Sequence, residues 1–505
     1  MSETYDMGPD SFPDFLEHQG GPGIHPFLSG LARVELSRYK AANAANSVIT
    51  SETFSINSSL HITIVAWIHL APLFKRAKQH DLERVVPGNE ILLSWRTPED
   101  GTLVTQVAEQ NDLLAIKLVA EEIDPSDAAR EAGVKVGMID AVMREAVRKG
   151  LVVSPPSKLR REGVIVDSTP CADFTAAEVF TLQWHLTQEC DLHCRHCYDR
   201  SNRNVFPFER ALTLLDELRT FCRNRFVRGQ VSLSGGNPLL YGHFMELYQA
   251  AAERDFMIAI LGNACDRAAI EQMVAIRMPV YYQVSLEGLE PHNDEIRGKG
   301  NFRRTVEFLN TLTGMGVPNM VMLTLTRHNM NQVISLAEEL EGITGGVTFN
   351  RLALFGEGAN LELPTPDEYR IFLESYAAAM NSHPVLTLKD SLLNTIFERE
   401  NIKLFGGCAG HGCGAAFNFV SILSDGEVHA CRKFPSHIGN ILINSLEDIY
   451  ASSSAHLYRS GSSACVNCSL NAVCRGCPAI TASLGHDPFT EIDPFCFRTR
   501  QSGLF

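Results

Sequence analysis

The chain has 505 residues, 45% hydrophobic and 20% charged, enough for about two to four domains with proper cores. A formal net charge of −15 argues against broad binding to nucleic acid or to anionic membranes. Fourteen cysteines, many in C-x2-C pairs, are too few and too clustered for a secreted disulfide scaffold, and point to metal in a reducing cytosol.

Met1 to Gly21 is acidic and polar, with no basic region ahead of an apolar core, unlike a signal peptide. The expected location is therefore cytoplasmic. A helical pattern runs from Pro26 through Ala45. Residues 58–71 read as another helix, with Ile64, Trp67, Ile68 and Ala71 on one face and Pro72 ending it. The longest apolar stretch, Ile62 to Phe74, is broken by His69 and Pro72 and is too short to span a bilayer. No repeat of fixed period is visible.

From residue 88 the character changes. Glu90–Trp95 and Thr102–Val107 are strand-like runs around the turn Thr97-Pro-Glu-Asp-Gly101. Helical periods follow at 108–122, 125–133 and 136–150, then a final apolar run, Leu151-Val-Val153. Two strands, three helices and a closing apolar run suggest a small winged helix. Pro155-Pro156 and the charged run after it read as a linker.

From about 178, strand and helix alternate. Strand candidates lie at 180–187, 230–234, 257–261, 279–286, 319–325 and 347–354, with helical patterns between them at 207–224, 242–254, 302–315 and 329–341. Such alternation implies a parallel sheet with crossover helices, and chemistry at the C-terminal ends of the strands. The first of these strands runs into Cys190-Asp-Leu-His-Cys194-Arg-His-Cys197. Three thiolates in a C-x3-C-x2-C loop can hold three corners of a cubic iron–sulfur cluster and leave the fourth iron open. A structural zinc knuckle would use the same thiols. The second strand ends in Ser234-Gly-Gly-Asn-Pro238, and the third leads to Gly262-Asn263. The fourth runs into Ser285-Leu-Glu-Gly288, followed by Asp294-Glu-Ile-Arg297-Gly298.

This set resembles the radical S-adenosylmethionine (SAM) enzymes. The resemblance implies an open (β/α)6 barrel, a 4Fe-4S cluster on Cys190, Cys194 and Cys197, and SAM chelated to the open iron. One electron from the cluster then leaves a 5′-deoxyadenosyl radical. It further implies SAM contacts from His196, Gly235, Gly236, Asn263, Ser285, Arg297 and Phe355. Asn237 replaces the family's Glu, Glu287 its Asp and Asn293 its His.

Eight cysteines fall after 405: Cys408, Cys413, Cys431, Cys465, Cys468, Cys474, Cys477 and Cys496. Zinc ribbons could be built from them. Their arrangement resembles the SPASM extension of radical SAM maturases, which implies two auxiliary 4Fe-4S clusters, three clusters in all. By that resemblance Cys408, Cys413, Cys431 and Cys477 hold the inner cluster, and Cys465, Cys468, Cys474 and Cys496 the outer one. The family usually has three residues between the ligands matching Cys474 and Cys477; here there are two. Cys171, Cys222 and Cys265 read as structural thiols.

The expected fold class is therefore α/β: an N-terminal helical extension (1–87), a winged-helix-like domain (88–155), a linker (156–179), the partial barrel (180–400) and the SPASM domain (401–505). The winged helix resembles the domain by which peptide-modifying systems grip a leader peptide, although plain packing or DNA binding through Arg144, Arg148, Lys149, Arg160 and Arg161 would use the same frame. Altogether the chain resembles a maturase of ribosomally made peptides, of the selenobiotic or geopeptide type. That implies hydrogen-atom abstraction and a thioether, selenoether or carbon–carbon cross-link. The implied partners are a precursor peptide and an electron donor such as flavodoxin or ferredoxin, with neither nucleic acid nor membrane. No catalytic residue is assigned. The competing readings are a formylglycine-forming sulfatase maturase and a non-catalytic electron carrier. Arg432 and Lys433 stand where the former needs an Asp base after Cys431.

Overall fold

A computed structural model describes residues 8–18, 24–45, 52–74, 79–161 and 172–498. Cys171 lies outside the described residues. The chain forms two compact units, Met1–Pro156 and Ser157–Phe505.

The first unit is built on an antiparallel sheet of β2 (His61–Ile68), β3 (Val86–Arg96) and β4 (Leu103–Val107), with β3 in the middle. A short pair, β1 (Ser55–Ile56) with β5 (Val152–Val153), lies apart from it. Adjacent leucines of β3 serve opposite faces, as the pleat demands. Leu92 joins Val34, Val65 and Leu70 beneath the helix Phe27–Asn43. Leu93 joins Trp95, Ala115, Ile139 and Ala146 beneath the helices Gln110–Ala120 and Val136–Lys149.

The helix expected over 58–71 is not there. Residues 61–68 form a strand in which Thr63 and Val65 are buried while Ile62, Ile64 and Ala66 are exposed. The β-branched run favours the extended chain, and its period of two overrides the coincidental helical spacing. The boundary expected after residue 87 also falls inside an element, because β3 runs across it and supplies the pairing partner of β2. The extension and the winged-helix-like segment therefore fold as one unit.

The second unit holds a nine-stranded sheet in the order β11-β10-β9-β8-β7-β6-β12-β13-β14. Strands β6 (Val179–His185), β7 (Arg228–Ser234), β8 (Met257–Leu261), β9 (Tyr281–Ser285), β10 (Asn319–Leu325) and β11 (Val347–Arg351) are parallel and follow chain order. Helices such as Phe208–Asn224, Phe244–Glu253 and Asn301–Gly314 connect them. This is the expected partial barrel. In β6, Phe180, Leu182 and Trp184 are fully buried, and the Phe180 ring lies 4.5 Å from that of Phe221 on the first crossover helix.

β12 (Phe419–Ile422) adds in parallel beside β6, and hairpins to β13 (Glu427–His429) and β14 (His437–Asn440) extend the same sheet. The expected 400/401 boundary thus separates no unit. Of the expected linker, Leu159 and Arg161 are buried in the second unit. Among the described residues, no helix is long and apolar enough to cross a membrane.

Candidate active site and cluster-binding residues

Strand β6 ends at His185, and the chain turns past the C-terminal ends of the parallel strands into the three-thiol loop. Cys190, Cys194 and Cys197 all line a cavity of about 530 Å³. His196, Gly235, Gly236, Asn263, Ser285 and Arg297 line it too. No other cysteine does among the described residues. A volume of this size suits a ligand as large as SAM.

The glycine pair brings two backbones together. A Cβ on Gly235 would lie 2.5 Å from the Thr187 carbonyl oxygen, and one on Gly236 2.3 Å from that of Glu189. The Gly236 and Asn237 amides donate to these same two carbonyls at 2.8 and 2.7 Å. Both amides are thus committed to the cluster loop, while Gly235 and Gly236 still line the cavity.

Phe355 is not at the cavity. Its ring packs on the core, 6.4 Å from that of Phe434, and Leu352 and Ala353 line the cavity instead. The expected SAM contact from Phe355 is therefore corrected. The physical reason lies one residue on. Gly356 is left-handed (φ 57°), and a Cβ there would lie 2.1 Å from the Tyr198 carbonyl oxygen. The Glu357 amide donates to the Cys197 carbonyl at 2.9 Å. This segment props the cluster loop.

Two acids that the sequence reading did not use organise the site. Glu287 is 1% exposed. It accepts from Arg297 Nε at 2.9 Å and from the Thr324 amide at 2.8 Å, and His196 Nε2 lies 3.2 Å away. Burial works to raise its pKa, but the His196 and Arg297 charges win and hold it at about 2. Arg297, expected to contact SAM, thus has a protein carboxylate at its Nε while still facing the cavity. Asn293 fits this arrangement in place of the family's His: its Oδ1 accepts from the Glu287 amide at 3.0 Å.

Asp191 is the second organiser. It accepts from Asn263 Nδ2 at 2.6 Å, from Asn237 Nδ2 at 3.0 Å and from Arg304 Nη1 at 3.5 Å. A glutamate at 237 would repel Asp191; the amide donates to it instead. Asn263 also approaches Cys190 Sγ at 3.6 Å. The acid directly after Cys190 signalled a charge in this loop, but not its partners.

The far wall is cationic. Arg432 donates to Ser234 Oγ at 2.9 Å and Lys433 to the Arg351 carbonyl at 2.9 Å, and both line the cavity. His185 also faces it, with its Nε2 buried and unpaired. Burial, then Arg432, pushes the His185 pKa down to about 3, so the ring is neutral.

The remaining thiols form two groups. Cys413 is driven up to about 12 by burial and then by Cys408, Cys477 and Cys431 nearby. Cys465, Cys468, Cys474 and Cys496 surround one small void of about 30 Å³. These are the two sets implied by the resemblance. The short Cys474–Cys477 spacing is accommodated by two consecutive left-handed residues, Arg475 (φ 68°) and Gly476 (φ 69°). Among the described residues, no three His, Cys, Asp or Glu side chains converge on a single-ion site. A four-iron cluster holds its cysteines farther apart than one ion does, because iron and sulfide stand between them. Eight thiols in two sets of four, Cys408 exposed and the others buried or half-buried, fit two such clusters. Cys222 is buried, and Cys265 lies 4.0 Å from Tyr282 Oη.

The radical SAM superfamily model matches residues 184–340, and the SPASM model, an iron–sulfur cluster-binding domain, matches residues 413–478. The chain is 24% identical over 284 residues to the antilisterial bacteriocin subtilosin biosynthesis protein AlbA of Bacillus subtilis, across 54% of this chain and 60% of AlbA. It is 28% identical over 338 residues to the mycofactocin maturase MftC of Mycobacterium ulcerans, across 62% of this chain and 87% of MftC. The fold is shared with Streptococcus suis SuiB, solved bound to its precursor peptide SuiA. That likeness has a TM-score of 0.51 at 16% identity, over 80% of this chain and 96% of SuiB. The barrel that presents three thiols and the cysteine field behind it are thus the stretches that the two family models match: the chain carries a radical SAM domain over residues 184–340 and a SPASM iron–sulfur domain over residues 413–478.

Proposed function

We propose that the protein modifies a ribosomally made precursor peptide, and that it does so with SAM and three 4Fe-4S clusters. The observation that carries this reading is one cavity at the C-terminal ends of the parallel strands, lined by three thiols of one loop and by no other cysteine among the described residues. Cys190, Cys194 and Cys197 would hold the first cluster, and the two sets of four thiols the others. When bound and reduced, the SAM-bearing cluster supplies hydrogen-atom abstraction from an unactivated carbon.

The chain's own residues do the positioning. Glu287 fixes Arg297 and His196 at the cavity wall, and Asp191 fixes Asn237 and Asn263 beside Cys190. Ser285 and Arg297 would meet SAM. Arg432 and Lys433 close the side nearest the SPASM hairpin, where a cation cannot serve as the general base of formylglycine formation. A cross-link, thioether, selenoether or carbon–carbon, is the reaction that this reading favours. An external donor such as flavodoxin or ferredoxin would supply the electron.

The first unit suits leader binding. Among the described residues β2 pairs only with β3, which leaves its other edge unpaired there, and it exposes Ile62 (49%) and Ile64 (69%) on one face. An edge strand with an apolar face takes up an extended peptide as an added strand. SuiB was solved bound to a precursor peptide, AlbA is named for bacteriocin biosynthesis and MftC as a maturase, which supports a peptide substrate.

The test uses anaerobically reconstituted protein. About twelve irons per chain are expected, falling to about eight in the Cys190/Cys194/Cys197→Ala variant, with reductive SAM cleavage lost. Synthetic peptides encoded by short reading frames beside the gene are then scanned by mass spectrometry for a loss of two hydrogens. Zinc in place of iron, or iron without SAM cleavage, would sink the reading.

A further inference from the structure

Arg161 is 8% exposed, yet no carboxylate of the described residues pairs with it. Its Nη1 donates to the Arg459 carbonyl at 3.0 Å. Its Nη2 donates to the carbonyl of His411 at 2.9 Å and also to that of Cys413. Its Nε is buried without a partner, and the guanidinium lies 3.8 Å over the Phe417 ring. Arg475 donates at 2.7 Å to the same Arg459 carbonyl, and it too has no carboxylate among the described residues. Two guanidinium ions therefore meet at one carbonyl, beside the backbone of Cys413.

A buried cation without an anion is costly. Carbonyl dipoles and one aromatic face offset only part of that cost. The chemistry that would complete the arrangement is an anion on the Cys413 side, and a cluster held by four thiolates is one. Reduction adds one electron to such a cluster without breaking a bond or taking up a proton, so the anion becomes stronger. A fixed cation beside such a cluster favours the reduced form.

We propose that Arg161 is the countercharge that sets the reduction potential of the auxiliary cluster held through Cys413. This inference rests on the cluster reading above. Arg161 is a positioning residue here, acting on the cluster through its charge and not on substrate.

The experiment uses the full chain with Cys190, Cys194 and Cys197 replaced by Ala, so that only the auxiliary clusters remain. Midpoint potentials are followed by electron paramagnetic resonance in the parent, in Arg161→Lys and in Arg161→Met. With about eight irons in each, Arg161→Met should lower one of the two potentials by at least tenfold in the reduction equilibrium, about 59 mV for one electron. Arg161→Lys should keep most of the parent value. Two unmoved potentials in a fully loaded Arg161→Met overturn the proposal. If Arg161→Met fails to load, thermal unfolding of the iron-free chains decides. Removal of an uncompensated cation should leave the iron-free variant at least as stable as its parent. A variant that melts lower marks Arg161 as a structural staple and equally overturns the proposal. A parent that takes up no iron would instead remove the cluster reading itself.

Discussion

Glu287 shows how a single side chain can hold one wall of the cavity. It is a buried carboxylate that survives as an anion because Arg297 and His196 face it. Replacing it with Gln leaves Arg297 buried without its partner, a change that costs about 3–5 kcal/mol. Urea unfolding of Glu287→Gln at pH 7 should show that loss. The pH dependence has a definite sign. The folded pKa of about 2 lies below the ordinary 4.5. The contribution of Glu287 is therefore complete above about 4.5 and fades as the pH falls toward 2. The gap between wild type and Glu287→Gln should narrow across that window. A gap that stays constant with pH would mean the carboxylate is not the stabilising species. Gly356 is a second decisive position. Its Cβ would collide with the Tyr198 carbonyl, whereas Gly342, also left-handed (φ 77°), faces open space. Gly356→Ala should lose up to about four irons per chain while Gly342→Ala keeps all of about twelve, as read by iron analysis.

At the scale of elements, β11 is tied to the cysteine field by one arginine. Arg351 pairs with Asp493 at 3.0 and 2.7 Å and with Asp390 at 2.9 Å, all three being buried or nearly so. Asp493 in turn accepts from the Cys477 amide at 2.9 Å. Arg351→Met strands two carboxylates and should destabilise the loaded protein by about 3–5 kcal/mol, measured by denaturant titration. Removing one of the two stranded charges with Asp493→Asn in the same chain should recover part of the loss. The strands of this barrel were legible because parallel strands buried on both faces read as short apolar runs, punctuated by the loops that carry the motifs. β2 was not, because Ile64, Trp67, Ile68 and Ala71 are spaced like a helix although the chain there is a strand followed by a short turn of 3-10 helix. The three thiols and the glycine pair were readable from spacing. The Asp191–Asn237 pairing was not, since it joins residues 46 positions apart. Phe355 failed for a related reason: only the packing of Gly356 on Tyr198 shows which neighbour faces the cavity.

Across the whole molecule, apolar burial is divided. Leu92 and Leu93 of β3 belong to two small cores within residues 27–152. The larger core gathers residues from Leu159 to Phe497 and takes in the sheet, the crossover helices and most of the auxiliary cysteines at its margin. Cluster binding stabilises only the unit whose folded form supplies the ligands, by mass action on that unit's own unfolding. Every candidate thiol ligand lies in Ser157–Phe505. Calorimetry of iron-free and reconstituted protein should therefore resolve two transitions, and iron should raise one of them. The transition that iron leaves unmoved belongs to Met1–Pro156, and Ile64→Asp, on the exposed face of β2, should leave the iron-dependent one in place. If iron raised both transitions equally, the two units would be melting as one cooperative body, and folding of the first would be thermodynamically linked to cluster loading in the second.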